Sequence, residues 1–127
     1  MKAVHDSNPS RWRVRQSMQH DDAQASRLTR ELDSLQQSIE TAAEGTDVDI
    51  DVSRSGNVIE VEFPDRTRLV INTQEFVGEI WVAARTEGLH FRQAEDGRWL
   101  DTRSGRELRA ALSEMLSVQA GVDLAVG

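Results

Sequence analysis

Asp47-Val48-Asp49-Ile50-Asp51-Val52, the turn Ser55-Gly56-Asn57, then Val58-Ile59-Glu60-Val61-Glu62-Phe63: apolar and polar residues alternate on both sides of a turn. Strict alternation is the signature of a strand with one buried and one open face, so this stretch reads as a hairpin. Matching its apolar residues sets Val52 opposite Ile59, Ile50 opposite Val61 and Val48 opposite Phe63. After a Pro64-Asp65-Arg66 loop the period returns in a third strand, Thr67 to Asn72, with Leu69 and Ile71 inward. Ile80 to Ala84 reads as a fourth strand, and Leu89 to Gln93 with Arg98 to Asp101 as a last hairpin around Glu95-Asp96-Gly97.

Helices flank this run. Leu28, Leu32, Leu35, Ile39 and Ala42 recur at steps of four and three, which predicts one apolar stripe on a helix over about residues 22–44, ended by Gly45. Downstream, Ser104-Gly105-Arg106-Glu107 has the spacing of a capping box, and Leu108, Ala111, Leu112, Met115 and Leu116 supply a second buried stripe. Hairpin-length connections make the sheet antiparallel, and two helices cover only one of its faces. The expected fold is α+β: a two-layer sandwich with helices on one face of about six strands, in the order α-β(6)-α. The boundaries expected are a flexible N-terminal tail at 1–21, one domain at 22–122 and a C-terminal tail at 123–127.

The chain has 127 residues, enough for one core without disulfides or metals. With no cysteine, thiolate zinc, iron–sulfur ligation, disulfides and cysteine nucleophiles are excluded. A net charge of −7 argues against nucleic acid and for cations or basic protein surfaces as partners. No run approaches a membrane span, and no apolar segment marks a secretion signal, so the cytoplasm is the expected location. The charge is uneven. Residues 1–20 carry Lys2, Arg11, Arg13 and Arg15 against Asp6, whereas residues 21–60 carry ten acids against Arg27, Arg30 and Arg54.

The hairpin register places Asp51 opposite Glu60 and Asp49 opposite Glu62 on the open face, an arrangement that costs a few tenths to about 1 kcal/mol per opposed pair. Arg68 falls beside Glu62, leaving Asp47, Asp51 and Glu60 without an assigned cation. Such oxygen-rich groups suit hard cations, although carboxylates spaced along a flat strand chelate poorly, so binding would be weak and unselective. From charge alone, the same acids read first as a solvated face that keeps a small chain soluble. Trp81 alternates with Ile80 and Val82 and so lies on the open face, a candidate protein contact. Trp99 reads as core and His90 as an exposed strand residue. No phosphate-binding glycine loop, dinucleotide fingerprint or H-E-x-x-H is present.

Asp47-Val48-Asp49-Ile50-Asp51, Ser55-Gly56-Asn57-Val58, Asn72-Thr73-Gln74-Glu75, Ile80-Trp81-Val82-Ala83, His90-Phe91 and Asp101-Thr102-Arg103-Ser104-Gly105 occur in that order, and together they closely resemble the bacterial frataxin (CyaY-like) family. The resemblance spans about residues 26–121. It implies a role in iron–sulfur cluster assembly, weak binding of Fe²⁺ or Fe³⁺ and other hard divalent cations, and docking on a cysteine desulfurase and an iron–sulfur scaffold protein. Carried over by position, it implies a metal-binding acidic ridge of Glu40, Glu44, Asp47, Asp49 and Asp51, with Glu31 and Asp33 as weaker members. It also implies a partner surface of Trp81, Asn72, Gln74 and Glu60. The chain departs from the family in Thr41-Ala42-Ala43, where acids are usual, and in the run Asn72-Thr73-Gln74-Glu75-Phe76-Val77, where Thr73 and Phe76 stand in place of the family's Arg and Pro.

The leading expectation is an iron-binding adaptor that delivers iron or regulates the desulfurase–scaffold complex, a monomer with iron-dependent oligomers. The alternatives are an iron-independent regulator acting by protein contact alone, and a ferroxidase.

Overall fold

A computed structural model of the chain describes residues 9–127, with side chains from Ala23 onward. Helix α1 runs Pro9–Glu44 and strands follow as β1 Asp51–Ser55, β2 Val58–Glu62, β3 Arg68–Gln74, β4 Glu79–Ala83, β5 Gly88–Gln93 and β6 Trp99–Asp101, before helix α2, Leu108–Ala120. The six strands form one antiparallel meander in sequence order, as the alternation requires. Both helices pack on the same face. Leu28, Leu32, Leu35 and Ile39 of α1 meet Ile59, Val61, Leu69, Ile71, Ile80, Val82 and Phe91 of the sheet and Leu108, Leu112 and Leu116 of α2 in one core. Trp99 joins it.

α1 starts earlier than its apolar stripe predicts, reaching back to Pro9, a residue suited to a first helical turn because its missing N–H has no partner there anyway. The tail expected at 1–21 falls partly at residues 1–8, outside the described residues.

The first hairpin is corrected. Ser55 pairs with Val58 across a two-residue turn in which Gly56 takes φ 59°, so Val52 sits opposite Val61 rather than Ile59. The slip is two residues, which keeps every side chain on its expected face. It nevertheless shortens the strand. Extending this register, Asp49 would fall opposite Pro64, which has no N–H to give to a ladder, and β2 has already ended at Glu62. Asp47 to Ile50 therefore form a connection, bent at Asp47 and Val48, whose side chains still alternate between open and half-buried outside the sheet.

α2 is also corrected at its start. Its N-cap is Glu107, whose carboxylate accepts from the N–H groups of Arg109 (3.1 Å) and Ala110 (3.0 Å). Ser104 instead donates to Asp101, Gly105 turns with φ 77°, and a bridge between Leu100 and Glu107 keeps the chain extended until the cap. Residues 123–127, read as a tail, fold back onto the helices. Val126 is buried and its N–H donates to Ser113 Oγ (2.9 Å). The Leu124 N–H donates to Ser117 Oγ (2.8 Å), and Ser38 Oγ donates to the Gly127 carbonyl (2.9 Å). No helix among the described residues is long and apolar enough to cross a membrane.

Candidate functional site

The acids of the expected ridge divide into two groups. Glu31 and Asp33, on α1, hold structural arginines: Arg109 reaches Glu31 at 3.1 Å, and Arg54 reaches Asp33 at 2.9 Å. Arg54 lies on the inner face of β1, opposite Ile59, and its guanidinium also donates to Gln36 Oε1 at 2.9 Å. Neither pairing was visible from helix periodicity, because it depends on which inward position of β1 carries the arginine.

The second group is Glu40 and Glu44 in the last turns of α1, Asp47 and Asp49 in the connection, and Asp51 at the start of β1. Glu44, Asp47, Asp49 and Asp51 are exposed, Glu40 is half-buried beside Gln36, and among the described residues no arginine or histidine lies within ion-pair distance of any of the five. Glu40 and Glu44 belong to the end of α1, whose last turn carries no basic residue, and the three aspartates follow it in the chain. The unsatisfied carbonyls there act as roughly half a negative charge, so the helix end and the carboxylates reinforce each other's field. Among the described residues, no three His, Asp or Glu side chains come close enough together to hold one metal ion. The corrected register sets Asp51 opposite Glu62 rather than Glu60. Arg68 is in register with Glu62 as expected, but its guanidinium approaches Glu60, at 3.5 Å, so Glu60 does have a cation.

The open sheet face brings the expected contact residues together. Asn72, Trp81 and His90 stand side by side across β3, β4 and β5, and Gln74, Glu79 and Arg92 form the neighbouring row. Gln74 donates to Asn72 through its amide. Glu60, on β2, shares this face but lies further along the sheet, in the row of Val70 and Ala83. Trp81 is half-buried on the open face, as its alternation predicts. Two neighbours were missed: the His90 ring stacks on the Trp81 ring at 4.0 Å between centroids and 6° between planes, and Glu79 accepts from Trp81 Nε1 at 2.8 Å. Glu79 also accepts from Arg92 and lies 3.9 Å from His90 Nδ1. Burial pushes its carboxyl up, but the bonds from Trp81 and Arg92 outweigh that and hold it below the ordinary carboxylate range.

Residues 18–122 match the family of the frataxin-like domain. The "Iron-sulfur cluster assembly protein CyaY" of Cupriavidus necator is 52% identical over 100 residues, covering 78% of this chain and 88% of the relative. The protein of the same name from Ralstonia pickettii is 50% identical over 94 residues, covering 74% and 82%. Among solved structures, frataxin from Psychromonas ingrahamii superposes with a TM-score of 0.70 at 29% identity, covering 82% of this chain and 97% of that one. A trimeric frataxin from Saccharomyces cerevisiae, in a ferrous complex, gives 0.65 at 28% identity, covering 75% and 86%. The helix–meander–helix order, the acidic end of α1 and the tryptophan on the open face sit within a match spanning most of the chain, and the chain belongs to the frataxin-like family, as a bacterial member of the CyaY kind.

Proposed function

We propose that this protein takes part in iron–sulfur cluster assembly as an iron-binding adaptor with no covalent chemistry of its own. The observation that carries the reading is half identity, over most of the chain, to proteins named for that process. The ferrous complex of the yeast relative supports iron as its cargo. Local support comes from the five carboxylates at the end of α1, which have no arginine to satisfy them among the described residues.

The chemistry follows from that arrangement. Fe²⁺ prefers oxygen and nitrogen donors, and a carboxylate that stands apart from its neighbours supplies one ligand at a time while water keeps the rest. Such an ion is weakly held and exchanges readily, which suits delivery rather than storage. The same negative end steers a basic surface of the cysteine desulfurase, so docking there weakens as salt rises. The scaffold protein would meet the open face at Trp81, Asn72 and Gln74, with Glu60 at its edge.

Titration calorimetry of Asp47→Asn/Asp49→Asn/Asp51→Asn tests this. Binding of both Fe²⁺ and desulfurase should weaken, the latter on the order of tenfold at low salt. Affinities equal to those of the unaltered protein contradict it. The absence of a converging ligand triad among the described residues favours a second reading, an iron-independent regulator. Desulfurase turnover with and without a strict chelator separates the two: a regulatory effect that survives the chelator supports the second reading.

A further inference from the structure

A tryptophan on an open sheet face usually turns between rotamers, and ordering it on binding costs affinity. Trp81 is held on two sides before any partner arrives. His90 stacks on its ring at 4.0 Å, and its single hydrogen-bond donor is spent on Glu79 at 2.8 Å. Glu79 is only 6% exposed, covered on the open face by its neighbours, and a carboxylate screened in this way is best held when its oxygens are occupied. They are: one oxygen accepts from Trp81, the other from Arg92. No strand ladder or core contact needs this bond pattern, since Glu79 and Trp81 both lie on the face away from the helices.

We propose that Glu79 is a positioning residue for Trp81 and that, with its N–H satisfied within the chain, Trp81 meets its partner through ring carbon alone. This rests on reading the open face as the surface that docks the scaffold protein. The indole donates one hydrogen bond and accepts none, so once the N–H is taken nothing polar remains on the side chain. The complementary group on the scaffold is therefore aliphatic, a thioether or a cation placed over the ring, not a carbonyl or carboxylate. Asn72 and Gln74, linked to each other beside the ring, supply the polar rim that usually surrounds such an apolar centre.

The test reads two quantities on ¹⁵N-labelled full-length protein: the Trp81 indole N–H resonance, assigned by its loss in Trp81→Phe, and the affinity for the scaffold protein by calorimetry. Glu79→Leu, which keeps much of the volume but cannot accept, should move the indole resonance toward a solvent-exposed position and weaken binding about five- to tenfold. Glu79→Gln, whose amide oxygen still accepts, should restore both. Trp81→Phe, retaining ring carbon without the N–H, should bind more tightly than Trp81→Ala. A displaced indole resonance with unchanged affinity in Glu79→Leu overturns the positioning role, and Trp81→Phe binding as weakly as Trp81→Ala overturns the carbon-only contact. If Glu79→Leu does not fold, the comparison of Trp81→Phe with Trp81→Ala still decides the second half. Unchanged affinity in Trp81→Ala removes the docking surface itself, which sets that failure apart from loss of the positioning role alone.

Discussion

Arg54 stands where a strand would ordinarily place an aliphatic residue, opposite Ile59 and beneath α1. Its side chain is 20% exposed and joins β1 to α1 through Asp33 and Gln36. Arg54→Ala removes a half-buried, charge-assisted network and should cost about 1–3 kcal/mol in urea unfolding. Asp33→Asn, whose side chain is 62% exposed, should cost less than about 1 kcal/mol. Equal losses would place the energy in the ion pair rather than in Arg54's packing and its bond to Gln36. Asp101 is a different case, a carboxylate 5% exposed that accepts from Ser104 N–H, Ser104 Oγ and the His90 N–H. Burial raises its pKa, the hydrogen bonds lower it, and the bonds prevail. A group with a lowered folded pKa contributes stability that is complete above its unfolded value, about 3.9, and is lost as pH falls through the folded value. Thermal unfolding between about pH 2 and pH 6 should therefore fall less steeply at the acid end for Asp101→Asn than for the parent. Identical slopes would contradict this.

The strands were the most legible elements, because burying one face of an antiparallel sheet writes a period of two directly into the residues. Ile59, Val61, Leu69, Ile71, Ile80 and Val82 all point where alternation puts them. Register was less legible. Pairing by apolar match alone tolerates a two-residue slip, and only the turn, with Gly56 at positive φ, decides between the options. The start of α2 was misread because Ser104 and Glu107 have capping-box spacing, whereas Gly105 carries the chain through a turn and Glu107 itself becomes the cap. The docking of residues 122–127 has no sequence period at all: it depends on Ser113 and Ser117 presenting hydroxyls to backbone N–H groups one segment away. Ending the chain at Gly121 exposes the surface Val126 covers and removes the Leu124 and Val126 N–H groups from Ser117 and Ser113, although Ser113 Oγ still donates to the Arg109 carbonyl. Burial of one such side chain alone contributes about 1.5–3 kcal/mol, so the midpoint of thermal unfolding should drop by roughly 10 °C. A change within about 2 °C would mean that the segment rests on the helices without stabilising them.

Across the whole molecule, charge is paired where the helices meet the sheet and placed against stability at the end of α1 and the start of β1. Glu40 and Glu44 stand at the negative end of α1, and Asp51 faces Glu62 across β1 and β2. Both placements are unfavourable by a few tenths to about 1 kcal/mol each. Replacing Asp47, Asp49 and Asp51 together by Asn should therefore raise the midpoint of thermal unfolding slightly while it weakens binding, a split that a purely structural role for these acids does not produce. The sequence made the acids of this end visible and the arginines that satisfy Glu31 and Asp33 invisible, since those pairings join residues far apart in the chain. The central proposal is that the carboxylates at the end of α1, which meet no arginine among the described residues, are where iron binds. An anaerobic Fe²⁺ titration of ¹⁵N-labelled protein, followed by amide shifts and line broadening, tests it most directly. Broadening confined to about residues 40–51, with Glu31 and Asp33 unaffected behind their arginines, is the predicted result. Broadening that begins elsewhere on the molecule, or no selective change up to millimolar iron, would contradict it.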